Sequence, residues 1–167
     1  REESAETNTR SDSGLEWRFI MITQDFRLSQ PLEHKLAVIL HTDVVGSTRL
    51  VHINEVLAHQ SIVEAFKCFA VTIEKFNGVV HEIRGDALLA VVSRASDAVG
   101  AALAFQQDHT VKIGGIEDDV RPELRVGISM GEVIIADDTL TGAGVVLAQR
   151  LEQLSDAGGV VIQGAVY

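Results

Sequence analysis

Leu36-Ala37-Val38-Ile39-Leu40-His41-Thr42-Asp43-Val44-Val45-Gly46-Ser47-Thr48 is the stretch that decides the fold. The apolar run Leu36 to Leu40 predicts a short central strand covered on both faces. His41 to Gly46 then reads as a loop, and Ser47 and Thr48 as helix caps. An acid, Asp43, therefore stands just past a strand end and just before a helix start. Free backbone N–H groups and the positive end of the helix dipole make such a start a place to hold phosphate. Val44, Val45, Gly46, Ser47 and Thr48 are the candidate phosphate-binding residues.

Working outward, Ile62, Phe66, Phe69, Ile73 and Phe76 recur every three or four residues and predict one buried helical stripe, ended by Asn77-Gly78. Val79 to Arg84 and Ala87 to Val92 read as two strands around Gly85-Asp86, a two-residue loop with Gly first and so a type II′ hairpin. Ala95 to about Val111 reads as a second helix and Ile113 to Val120 as a loop. A second hairpin is expected around Met130-Gly131, joining Leu124–Ser129 to Glu132–Ala136. A third helix follows over Gly144–Leu154, then a last strand over Gly159–Gln163. This order predicts an α+β fold. Its ferredoxin-like βαββαβ core has extra strands and a helix, and its antiparallel or mixed sheet has helices packed largely on one face.

Asp86 sits at the tip of the first hairpin. In a ferredoxin-like sheet that tip lies beside the end of the strand that precedes Asp43. Two carboxylates that close repel unless a cation lies between them. A Mg²⁺ ion takes one or two carboxylates and completes its shell with phosphates and water. Asp43 and Asp86 are therefore candidate metal ligands. Arg150 is flanked by apolar residues on the third helix, and its spacing alone reads as a salt bridge on a solvated face. The six histidines are scattered and read as surface or core residues.

The chain has 167 residues and a net charge of −10, which disfavours non-specific binding to nucleic acid or to an anionic membrane. It does not disfavour a polyphosphate carried by a divalent cation. A single cysteine, Cys68, excludes an intrachain disulfide and a cysteine-based zinc site, and fits a reducing, cytoplasmic compartment. No segment reads as long enough to span a bilayer, so no membrane contact is expected. Residues 1–30 are expected to form a disordered or loosely packed segment, within which Leu15 to Leu28 reads as an edge strand or packing segment. Residues 31–167 are expected to form the domain. A chain that begins at Arg1 and stops at Tyr167 directly after a strand reads as a piece of a longer protein whose domain is incomplete at its C-terminus.

Four ordered segments resemble the catalytic domain of class III nucleotidyl cyclases, the adenylate and guanylate cyclases. Ile39 to Thr48 is similar to the family's first metal-binding segment, and Glu82 to Ala90 to its second metal-binding hairpin. Arg125 to Val133 is similar to the strand-turn-strand that follows. Gly142 to Leu154 is similar to the arm and helix that carry a transition-state arginine. The resemblance implies conversion of a nucleoside triphosphate to a 3′,5′-cyclic nucleotide and pyrophosphate. It implies two Mg²⁺ or Mn²⁺ ions per site on Asp43 and Asp86, and sites shared across a homodimer, with Arg150 supplied by the second chain. It also implies base-binding roles for Glu82 and Thr139. Three departures stand out. ATP-using members carry Lys where this chain has Glu82, so Glu82 favours GTP while the family's frequency favours ATP. The family's ribose-orienting Asn falls on Val146, and its triphosphate-binding Lys falls beyond Tyr167. The alternative reading is therefore a catalytically degenerate module that binds nucleotide or dimerises.

Overall fold

The computed structural model describes residues 33–113, 121–136 and 139–167. The expectations for residues 1–30 and for most of the loop before Arg121 lie outside the described residues.

Strand β1 (Glu33–Val44) is longer than the apolar run predicts. It pairs antiparallel with β3 (Ala87–Val92) from Val38 to Asp43. On its other side it pairs with β4 (Leu124–Ala136) along its whole length. Partners on both edges keep His41 to Val44 extended, so the predicted loop shrinks to Val45-Gly46. At the other end Leu36 is 68% exposed, and burial begins only at Ala37.

Helix α1 (Ser47–Ile53) is capped differently from the sequence expectation. Gly46 occupies the cap position in the left-handed region with φ 64° and offers no side-chain bond. Ser47 instead turns its hydroxyl to Asp86. Asn54 then separates α1 from α2 (Glu55–Lys75) and caps the longer helix by accepting from the Leu57 amide at 3.1 Å. The expected stripe of Ile62, Phe66, Phe69 and Ile73 is buried, with Phe76 packed at its edge. With 21 residues, α2 is long and apolar enough to cross a membrane by length and composition, which corrects the expectation that no segment is. Here it is a core helix: Phe69 stacks on Phe105 of α3 (Ala95–Ile113) at 4.1 Å between ring centres.

Strands β2 (Gly78–Arg84) and β3 form the predicted hairpin, and Gly85 takes the positive φ of 61° that its turn requires. The second predicted hairpin is absent. Met130-Gly131 lies inside the continuous 13-residue strand β4. Gly131 serves a close approach rather than a turn, since a Cβ there would lie 2.9 Å from the Gly144 Cα. The chain reverses later, after Ala136, into β5 (Thr139–Thr141). Helix α4 (Ala143–Gln153) and β6 (Val160–Ile162) complete the chain, with β6 parallel to the first half of β4. The strand order β2-β3-β1-β4-β5 contains the ferredoxin-like core.

Because side chains alternate along a strand, the sheet has two cores. Val38, Leu40, Leu88, Ala90, Val126 and Ile128 face α2 and α3. Ala37, Ile39, Leu89, Val133 and Leu140 pack with Ala148 of α4. The helices thus cover both faces, not largely one. Gly127 permits the second layer: a Cβ there would lie 2.1 Å from the Ala148 carbonyl oxygen and 2.3 Å from the Glu152 nitrogen. A Gly127→Ala protein should lose about 1–3 kcal/mol or more, since α4 backbone cannot yield as a side chain can. Denaturant unfolding of the variant checks this.

Candidate active site

The period of two places His41 and Asp43 of β1 on the α4 face, with Arg125 of β4 directly opposite Asp43. Nη2 of Arg125 donates to Oδ2 of Asp43 at 3.0 Å. Nε of the same guanidinium pairs with Oε1 of Glu152. Glu152 lies on the buried stripe of α4 with Gly144 and Ala148, and is only 2% exposed. Its other oxygen lies 3.5 Å from Nδ1 of His41. Asp43, Arg125 and Glu152 are thus linked from the end of β1 to the interior of α4, with the His41 ring alongside.

Asp86 joins this group from the β2–β3 turn. Asp43 is the register partner of Ala87, and the Val44 amide donates to the Asp86 carbonyl at 3.0 Å. Paired and adjacent residues of neighbouring strands put the two aspartate Cα atoms roughly 5–7 Å apart. Both carboxylates act on Glu152. Burial pushes the Glu152 carboxyl up to about 6 from 4.5; Arg125 pulls it down, while Asp43 and, more weakly, Asp86 push it up. His41 is pushed down from 6.5, chiefly by burial and further by Arg125, against the opposing pull of Asp43.

These shifts act on stability in opposite senses. Between pH 4.5 and 6 the folded protein holds the Glu152 proton that the unfolded chain has released, so stability falls as pH rises through that window. The fall amounts to about 2 kcal/mol. His41 is neutral in the fold where the unfolded chain is protonated, so its contribution rises as pH climbs to 6.5. The difference between wild type and Glu152→Gln isolates the first effect. The variant should gain stability relative to wild type from pH 4.5 to 7, as read by urea unfolding across that range.

Two of the five candidate phosphate-binding positions have their amides engaged in the fold. Val44 N–H is bonded to Asp86, and Val45 N–H donates to the Glu123 carbonyl at 2.8 Å. Gly46, Ser47 and Thr48 stand before the first intrahelical bonds of α1, which Arg49 and Leu50 donate to the Gly46 carbonyl. A cavity of about 620 Å³ borders Ser47, Thr48 and Asp86 and continues between α2 and Ile83. Glu82 follows an irregularity in the β2–β3 register and pairs with Arg84, which is largely exposed. Thr139 is exposed on β5.

Arg150 stands away from this cluster. It is two residues from Glu152, about 200° round the helix. Glu152 points into the sheet, whereas Arg150 is exposed on the outer face with Val146 one turn before it. The sequence reading missed Arg125, Glu152 and His41 as site residues. The signals were present: a lone cation in the apolar strand Leu124–Ser129, and an acid at four-residue spacing behind Gly144 and Ala148.

Among the described residues no group of three or more His, Cys, Asp or Glu side chains is placed to hold a metal. Two neighbouring carboxylates suit a hard cation that takes its remaining ligands from phosphate and water, and do not suit a protein-only cage.

No family model matches the chain. It is 32% identical over 139 residues to a protein of Rhizobium meliloti (strain 1021) named "Putative adenylate cyclase 3", covering 83% of this chain and 24% of that protein. The chain spans about a quarter of the length of the curated relatives it matches. Among solved structures, it resembles an adenylate/guanylate cyclase/hydrolase from Silicibacter pomeroyi, with TM-score 0.72 and 29% identity over 81% of this chain and 80% of that one. It shares the fold of the adenylyl cyclase CyaB from P. aeruginosa, with TM-score 0.66 and 23% identity over 83% and 81% of the two chains.

Proposed function

We propose, on the premise that this chain is a domain of the adenylate/guanylate cyclase family, that it makes a 3′,5′-cyclic nucleotide and pyrophosphate from a nucleoside triphosphate. The observation that carries this reading is the placement of Asp43 and Asp86 at adjacent strand ends, beside Arg125 and the start of α1. In the reaction the ribose 3′-oxygen forms a bond to the α-phosphorus and gives up its proton to water. The bond from that phosphorus to the α–β bridging oxygen breaks, and pyrophosphate carries the electron pair away. Two Mg²⁺ or Mn²⁺ ions held by Asp43 and Asp86 would supply Lewis-acid polarisation of the hydroxyl and neutralise the triphosphate.

The chain's own groups do the rest. The amides of Gly46, Ser47 and Thr48 receive phosphate oxygens. Arg125 offers a guanidinium at the Asp43 end, the geometry that matches phosphate. Glu82 accepts from the base, and an acceptor pair suits the N1–H and 2-amino group of guanine. The base that is used, ATP or GTP, thus turns on whether Arg84 keeps hold of the Glu82 carboxylate. Arg150 faces away from its own Asp43, so it serves a second copy of the domain, where it stabilises charge on the α-phosphate.

A second reading is favoured by one observation. Val146, 48% exposed beside Arg150, cannot orient a ribose by hydrogen bonding. A domain that binds nucleotide without turnover would carry such a residue. Incubating the protein with Mn²⁺ and either ATP or GTP separates the two. Cyclic nucleotide and equimolar pyrophosphate support the cyclase; tight nucleotide binding with no product supports the module.

A further inference from the structure

We infer that Glu152 is a positioning residue, holding Arg125 by its Nε edge so that the guanidinium cannot close with both donor edges on Asp43. The inference rests on the cyclase reading only for the consequence, which is that the Asp43 carboxylate stays open to a cation.

Three features lead to Glu152. First, it is a charged residue at 2% exposure on a stripe otherwise made of Gly144 and Ala148, and packing alone gives no reason for a carboxylate there. A buried charge is costly unless paired. Second, one of its oxygens pairs with Arg125 of β4, and the other lies 3.5 Å from Nδ1 of His41 on β1 without hydrogen-bond geometry, so the pair with Arg125 is what holds it. Third, the backbone beneath it is fixed: Gly127 lets the Glu152 nitrogen approach β4 more closely than any Cβ would allow.

The chemistry of the guanidinium supplies the consequence. Arg presents donors in a rigid fork and prefers to meet a carboxylate through two parallel bonds. Asp43 faces Arg125 directly across the β1–β4 register. With Glu152 absent, Arg125 has its full fork free for Asp43, and a bidentate pair would contest both carboxylate oxygens with any divalent ion. With Glu152 present, its Oε1 sits against Nε as an ion pair outside directed hydrogen-bond geometry, and Nη2 reaches Asp43 at 3.0 Å. The groups facing Glu152 are His41 from β1 and Arg125 from β4, with Asp43 and Asp86 acting from farther off.

The test is a Mn²⁺ titration followed by electron paramagnetic resonance, run on wild type, Glu152→Gln, Arg125→Gln and the double variant, each first shown to be folded by its unfolding transition. Glu152→Gln should weaken Mn²⁺ binding about tenfold. In the Arg125→Gln background the same change should have less than about a twofold effect, because Glu152 acts through Arg125. Glu152→Asp, which keeps the charge, should recover part of the loss. Equal losses in both backgrounds, or no loss in either, would overturn the inference. A wild type that binds no Mn²⁺ would instead reject the cyclase reading. The inference is then decided by the ¹⁵N–¹H signal of Arg125 Nε. That signal should hold its position in Asp43→Asn and move in Glu152→Gln; the reverse pattern overturns it.

Discussion

Asp43→Asn and Asp86→Asn should each lower cyclic-nucleotide formation by about 10³-fold or more, with folding stability changed by only about 1 kcal/mol. The asymmetry follows from where the two acids lie. Asp43 closes no core; its side chain is 22% exposed, and losing its ion pair with Arg125 leaves Arg125 still anchored to Glu152. Asp86 is a turn residue whose structural duties are performed by its backbone, through the Val44 amide, and by one hydroxyl from Ser47. Asn preserves size and one acceptor oxygen in both cases but removes the charge that binds a hard cation. Asp97→Asn is the control. That acid pairs with Arg94 at the exposed start of α3, at 2.9 Å, and its loss should leave turnover unchanged. Rates measured at saturating Mn²⁺ with both triphosphates, together with unfolding midpoints, decide the comparison.

Mixing should restore what single substitutions remove. Arg150 lies on the opposite side of α4 from Glu152, and under the proposed shared site the aspartates and the arginine of one site come from two domains. Asp43→Asn protein and Arg150→Ala protein should each be nearly inactive. Random pairing of equal amounts makes half the dimers mixed, and each mixed dimer carries one intact and one doubly impaired site. The expected recovery is about a quarter of wild-type activity, rising from about a thousandth. Activity that stays at the level of the separate variants would place Arg150 outside the shared site. A loss confined to Asp43→Asn, with Arg150→Ala fully active, would do the same.

How much of this was readable beforehand depends on which residues spoke for themselves. The β2–β3 hairpin was legible because Gly85-Asp86 carries its turn chemistry locally. The two long helices were legible because Ile62, Phe66, Phe69, Ile73 and Ala98, Ala102, Phe105 repeat at helical spacing. Gly131 misled for a physical reason: glycine marks both turns and close approaches, and nothing near Met130 says that Gly144 will lie against it. The extent of β1 was hidden likewise. His41 to Val44 are extended because β3 and β4 hold them on either side, which is information from residues more than 40 positions away. At the candidate site, the two aspartates were singled out by their positions at predicted strand ends. Arg125, Glu152 and His41 were passed over because each is ordinary alone. They become a group only once the parity of β1 and β4 and the inner face of α4 are known. The same knowledge removed the Val44 and Val45 amides from the phosphate-binding set, since both are committed to the backbone of the fold.

The joint role of Asp43 and Asp86 is best tested by counting bound ions directly. Mn²⁺ binding would be measured by electron paramagnetic resonance with a 3′-deoxy nucleoside triphosphate, which occupies the site and cannot cyclise. Two ions per site are predicted for wild type, with occupancy falling in both Asp43→Asn and Asp86→Asn. Full occupancy at unchanged affinity in either variant would contradict a centre built on the pair.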